Sequence, residues 1–90
     1  MHKLIEIKPI PDYQIWIRFE DGSEGIVDLS HLKGKGVFAA WGKTIAFEQA
    51  YIDSESGALA WSKNLDIDPL NLYLKINKIS FYELTLKEVH

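Results

Sequence analysis

The chain contains no cysteine. Disulfides, thiolate nucleophiles and sulfur-ligated zinc or iron-sulfur centres are excluded together, and a reducing cytoplasm is the expected compartment. Arg18 is the single arginine, and no basic stripe runs through the sequence. Nucleic-acid binders hold phosphates and guanine edges with such stripes, so DNA or RNA is not the expected partner. Long apolar runs are missing too. The longest, Val37 to Trp41, is far below the ~20 residues of a membrane span, and the N-terminal residues Met1 to Glu6 contain no signal-like stretch, so neither membrane insertion nor secretion is expected.

Histidine is also scarce. His2, His31 and His90 show no paired ligand spacing, and no metal or cofactor is expected. Asp66-Ile67-Asp68 places two carboxylates on one side of an extended segment and, with Asp53 and Glu55, could hold a cation. The competing and preferred reading has Asp68 cap a helix and Asp66 brace the turn before it. Asp28-Leu29-Ser30-His31 has the letters of nucleophilic catalysis on adjacent positions, where nucleophile and base cannot meet through space. Lys33-Gly34-Lys35-Gly36 lacks the spacing and the Ser or Thr of a phosphate loop. The chain therefore reads as non-enzymatic.

What is present is a ninety-residue chain, 47% hydrophobic and 26% charged, with a net charge of −3. A chain this short buries only roughly 60 to 65% of its unfolded surface, so most apolar residues are needed for one core. Residues 1–43 carry six positive and six negative side chains, whereas residues 44–90 carry four lysines against seven carboxylates. The acidic excess lies in the second half.

The patterning predicts an α+β domain over 1–90 with one antiparallel sheet of about five strands, at 3–8, 13–20, 23–29, 50–53 and 58–61. In 13–20, Tyr13, Ile15, Ile17 and Phe19 share one face, while Gln14, Trp16, Arg18 and Glu20 share the other. Among several possible registers, a loop of Glu20-Asp21-Gly22, with Gly22 at positive φ, sets Arg18 opposite Glu24, Trp16 opposite Ile26 and Ile15 opposite Val27. Ile5 and Ile7 share a face of the first strand, which Pro9 and Pro11 end. Ser30 is expected to cap a single turn, Thr44 a short helix near 44–49, and Ser54 to Gly57 turns the second hairpin. Asp68-Pro69 starts a helix at about 69–77 with Leu70, Tyr73, Leu74, Ile76 and Asn77 on its inner edge. The tail, 78–90, fits a helix capped at Ser80 or a strand or arm through Phe81, Leu84 and Leu86.

Trp16 is the informative aromatic. If its alternate neighbours build the core, it points outward beside Arg18 and Ile26, as interface aromatics and arginines do. Alternatively, the tail or the last helix covers that face and makes it a second core layer.

Phe19-Glu20-Asp21-Gly22, Val27-Asp28-Leu29-Ser30, Val37-Phe38, Phe47 and the block from Trp61 through Asn64, Asp66, Asp68 and Pro69 to Leu72-Tyr73 resemble the bacterial family called domain of unknown function 2442. The resemblance spans about residues 4–75, with Leu65 standing where the family often has glycine. It implies a small α+β domain with an antiparallel sheet and no established activity, so no catalytic residue carries over. Relatives are often encoded beside a second small protein, as in toxin and antitoxin pairs, and some add a helix-turn-helix for which about fifteen further residues are too few. Read physically, Trp61 seals the core at a strand end, Asn64 and Asp66 hydrogen-bond the connection, Pro69 starts the helix and Tyr73 packs it on the sheet.

The resulting expectation is a cytoplasmic interaction module that binds a protein partner or itself, in the first instance as an antitoxin-like partner of a small basic protein. The candidate surface is Trp16, Arg18, Ile26, Asp53, Glu55 and Asp66. Alternatives are a nucleic-acid or phosphate-ligand binder using Lys33, Lys35 and Lys43, or a regulatory subunit whose site forms only on oligomerisation.

Overall fold

A computed structural model describes residues 3–77, and the predicted tail therefore lies outside the described residues. The order is β1 (Leu4–Ile10), β2 (Gln14–Phe19), β3 (Glu24–Asp28), β4 (Tyr51–Ile52), β5 (Leu59–Ser62), β6 (Leu65–Ile67) and α1 (Pro69–Asn77), with short 3-10 helices at Ser30–Leu32, Gly36–Ala40 and Phe47–Gln49 between β3 and β4. The class is α+β, but the strands form two antiparallel three-stranded sheets, β1-β2-β3 and β4-β5-β6, rather than one sheet of five.

The physical reason lies in β1. It continues through Pro9, which has no N–H, and it bulges between Leu4 and Glu6. Both features disfavour a further ladder, so β4 lies against β1 without pairing to it. Pro9 does not end the strand because β1 is an edge; the strand stops at Ile10, immediately before Pro11. The bulge also breaks its alternation. Leu4 is buried and Ile7 half-buried, while Ile5, expected to share the face of Ile7, is 46% exposed.

The β2–β3 register is the one expected, with Arg18 opposite Glu24, Trp16 opposite Ile26 and Ile15 opposite Val27. Gly22 takes φ 92°, and Asp21 Oδ1 accepts the Ser23 N–H at 2.8 Å, which closes the turn. Tyr13 is not a strand residue. It sits in the β1–β2 turn at φ 60°, beside Asp12 at φ 69°, and reaches the core from there. Its ring packs 5.2 Å from Phe47 and 5.8 Å from Trp41, contacts that offset the cost of a left-handed backbone at a bulky residue.

Two expected caps are replaced. Asp28, not Ser30, terminates β3 by accepting the Ser30 N–H at 2.9 Å, and only Phe47–Gln49 of the predicted 44–49 helix forms, with Gln49 Oε1 accepting the Ala46 N–H. Three-residue 3-10 pieces suffice there because Phe47 is the one side chain of that turn to be buried.

The second hairpin forms as read, Tyr51 pairing Ala60 and Ile52 pairing Leu59. Beyond it, Lys63-Asn64 turns the chain into β6, a strand where a connection was expected. Leu65 is buried, Asp66 faces out opposite Ala60, and neither Asn64 nor Asp66 braces a loop. Leu65 therefore occupies a strand position that uses a side chain.

Asp68 Oδ1 accepts the Leu70 N–H at 2.9 Å, and Pro69 is the first helical residue, as the sequence predicts. The inner edge differs. Leu72 is the fully buried helix residue, worth roughly 1.5 to 3 kcal/mol of burial. Tyr73 and Ile76 pack beside it, whereas Asn77 is exposed and bonds the Tyr73 carbonyl. One core joins Ile15, Ile17, Phe19 and Val27 of the first sheet, Leu59, Trp61 and Leu65 of the second, and Trp41, Phe47 and Leu72 from outside the sheets.

Candidate interaction surface

With Ile15, Ile17 and Phe19 turned inward, the pleat turns Gln14, Trp16 and Arg18 to the opposite face of the first sheet. Across the strands, Trp16 lies between Lys8 of β1 and Ile26 of β3, and Arg18 lies between Glu6 and Glu24. An aromatic and apolar row therefore runs beside a row of alternating charge. Trp16 is half-buried and Ile26 is 59% exposed.

Helix α1 does not cover this face. It packs on the inner one, where Ile76 lies so close to Gly25 that an added Cβ would stand 3.2 Å from the isoleucine side chain. Of the two coverings considered for Trp16, the last helix is thus ruled out.

Arg18 is engaged twice. Its guanidinium ion-pairs with Glu6, and its charge centre lies 5.9 Å from the centroid of the Trp16 ring, within reach of a cation–π contact. Both side chains of the ion pair are about half exposed, so solvent screening keeps its value to stability small. Its effect is positional, because it fixes one border of the apolar row. On the other side of Trp16, a shallow groove is lined by Trp16, Ile26, Glu6 and residues 8–11. Residues 8–11 escaped the sequence reading, because placing them beside Trp16 requires the β1–β2 register, which local alternation does not supply.

The acidic candidates lie elsewhere. Asp53 is half-buried and its Oδ1 accepts the N–H groups of Glu55 and Ser56, which makes it the structural residue of the β4–β5 turn. Glu55 lines a depression with Lys3, Glu20 and Pro69, whereas Asp66 lines another with His31, Phe38 and Lys75. Neither depression includes Trp16, so Asp53, Glu55 and Asp66 do not join the sheet face that carries Trp16, Arg18 and Ile26. Among the described residues, no three His, Asp or Glu converge as metal ligands would. Lys33, Lys35 and Lys43 are exposed in the segment between β3 and β4, with the Lys33 ammonium 4.9 Å from the Tyr13 ring centroid.

Among the family-type residues, Trp61 is 5% exposed and its Nε1–H donates to the Phe47 carbonyl at 2.8 Å. Tyr73 donates to Asp21 Oδ2 at 2.7 Å and stacks edge-on against Phe19, 5.1 Å between centroids. Gly22, Asp68 and Pro69 serve turn and helix start, and Asn64 turns β5 into β6. The Trp61–Tyr73 block is thus a folding motif that closes the core and fastens α1.

Asp28, at the end of β3, is held below the usual carboxylate range. The Ser30 hydroxyl and backbone N–H donate to it, and His31 adds a smaller attraction.

These features define a small α+β domain of two antiparallel three-stranded sheets, the first of which turns Trp16 and Ile26 to its outer face. Over residues 4–78 the chain matches the family described as Protein of unknown function (DUF2442), and it belongs to that family. No curated protein and no solved structure matches it. Among the described residues, no helix is long and apolar enough to cross a membrane.

Proposed function

We propose that the chain is a non-catalytic protein-binding module that uses the outer face of its first sheet, and that its partner is a small basic protein. The observation that carries this reading is Trp16 beside the 59%-exposed Ile26, on the face opposite the one α1 covers. A large aromatic next to an exposed aliphatic and an arginine matches the composition of interface centres. The carboxylates Glu24 and Asp28, exposed along β3 on the same face, favour a basic partner over an acidic one. The three loop lysines offer no comparable grouping, since Lys33 already sits over Tyr13.

The test is affinity capture of the tagged full chain in its native host, alongside Trp16→Ala and Ile26→Asp. The expected result is a basic protein captured by the parent chain and lost from both variants, with the far-ultraviolet spectrum unchanged. Capture that survives both substitutions, or no capture at all, refutes the reading.

A further inference from the structure

We propose that β3 is a docking edge: the chain accepts an added β-strand from its partner along Glu24–Asp28, and that strand carries Lys or Arg on either side of a central apolar residue. The proposal rests on the protein-binding reading above and names how the partner is held.

Among the described residues, the order β1-β2-β3 leaves one side of β3 without a strand. Which backbone groups face that side follows from two hydrogen bonds. Phe19 N–H donates to the Ser23 carbonyl at 2.8 Å, and Leu29 N–H donates to the Tyr13 carbonyl at 2.9 Å. Residues 23 and 29 therefore point their backbone groups at the β2 side. Antiparallel pairing alternates, so Gly25 and Val27 do the same, while the N–H and C=O of Glu24, Ile26 and Asp28 face away from β2. These three residues also turn their side chains to the outer face, and all three are exposed. A strand added there would meet the backbone ladder and the three side chains at once.

Charge selects the occupant. Two copies of β3 paired antiparallel over their full length would set Ile26 on Ile26 and Glu24 on Asp28 at both ends, and directly opposed like charges destabilise a strand pair. The edge is in this way protected against itself, as exposed edges commonly are. Arg18 spends its ion pair on Glu6, and among the described residues Glu24 has no ion-pair partner. An incoming strand of pattern basic, any, apolar, any, basic places a cation opposite each carboxylate and an apolar group on Ile26, beside Trp16. The same rule that rejects a second copy therefore admits a basic strand.

The probe is a capped peptide, Thr-Lys-Thr-Val-Thr-Lys-Thr, with its Glu-for-Lys counterpart as control, added to the isotope-labelled full chain. Hydrogen exchange is read at individual amides. The expected result is that the lysine peptide slows exchange at Ile26 by at least about tenfold, leaves the already bonded Gly25 unchanged and loses affinity as salt rises, while the glutamate peptide does nothing. Ile26→Pro removes an outward N–H together with the isoleucine side chain, at a position where an edge strand tolerates proline; read at the neighbouring outward amides of Glu24 and Asp28, which the lysine peptide should also slow in the parent chain, it should abolish the protection. Glu24→Lys, an exposed change with no ladder bond at stake, should weaken the lysine peptide and serves if the proline variant fails to fold. Equal effects of both peptides, no change at Ile26, an Ile26 amide already slow in the free chain, or protection that rises with protein concentration alone would each overturn the proposal. The last two results would mean that the chain's own residues or a second copy hold the edge. Trp16-dependent capture of a basic protein whose complex leaves the Ile26 amide fast refutes edge docking and spares the surface reading. No capture by the parent chain, or capture that survives both Trp16→Ala and Ile26→Asp, refutes the surface reading itself.

Discussion

The hydroxyl of Tyr73 donates to Asp21 Oδ2 at 2.7 Å, which ties α1 to the β2–β3 turn across 52 positions of sequence. The same carboxylate, through Oδ1, accepts the Ser23 N–H that shapes the turn. Helix docking and hairpin closure thus share one side chain. Tyr73→Phe keeps the ring against Phe19 and removes only the hydroxyl. It should lower stability by about 1 kcal/mol, read as a drop in urea midpoint with unchanged slope. An unchanged midpoint would mean that the hydroxyl contributes nothing net to docking.

Trp41 and Trp61 pack in the core with tilted rings, 4.9 Å between centroids, and are almost equally buried, at 4% and 5% exposure. They differ in one respect. Trp61 Nε1–H reaches the Phe47 carbonyl, whereas Trp41 Nε1 is buried without a hydrogen-bond partner among the described residues. Replacement by Phe removes similar ring volume at both sites, but at Trp61 it also removes a hydrogen bond to the Phe47 carbonyl, which keeps only the longer bond from the Ala50 N–H at 3.3 Å, a net loss of about 1 kcal/mol. Trp61→Phe should therefore be the more destabilising substitution, and chemical denaturation of the two variants side by side decides it.

The local features were the legible ones. Arg18 opposite Glu24 follows from alternation plus a glycine able to take positive φ, and the helix start follows from Asp68-Pro69, where both residues act on backbone groups within three positions. The split into two sheets was not legible, because it depends on which distant strand fails to pair. A bulge at Ile5 and Pro9 in β1 decide that. β6 was hidden for a different reason: Leu65-Asp66-Ile67 is three residues long between turn signals, too short for periodicity to register. For the candidate surface, the outward turn of Trp16 could be read from β2 alone. The residues beside it on β1 could not, since a one-residue shift at the bulge changes which of them face Trp16.

Asp28 links the end of β3 to the turn that follows. Because Ser30 and His31 lower its folded pKa, its contribution is present above the unfolded carboxylate value near about 3.9 and is lost as pH falls through the lower folded value. Asp28→Asn should be less stable than the parent chain at neutral pH. The gap between the two should close progressively as pH is lowered from about 5 towards the acid limit, which urea titrations at several pH values will show. A gap that is constant with pH would assign the effect to shape rather than charge.

Gly25 faces the core side of β3 opposite Ile17, where Ile76 of α1 lies against the sheet. Its φ is not positive, so the need for glycine is one of space and not of backbone. An added Cβ would stand 3.2 Å from both Cβ and Cγ2 of Ile76, tighter than an ordinary van der Waals contact. Gly25→Val should cost roughly 1 to 3 kcal/mol, in the range of core overpacking, by forcing α1 off the sheet. Ile76→Ala alone should also destabilise, through lost burial. Since each change acts on the same gap, the double variant should be less damaged than the sum of the two, with a coupling of at least about 0.5 kcal/mol measured by a double-mutant cycle. Strict additivity would mean that the helix meets the sheet at some other residue, and Gly25 would then be an ordinary strand position.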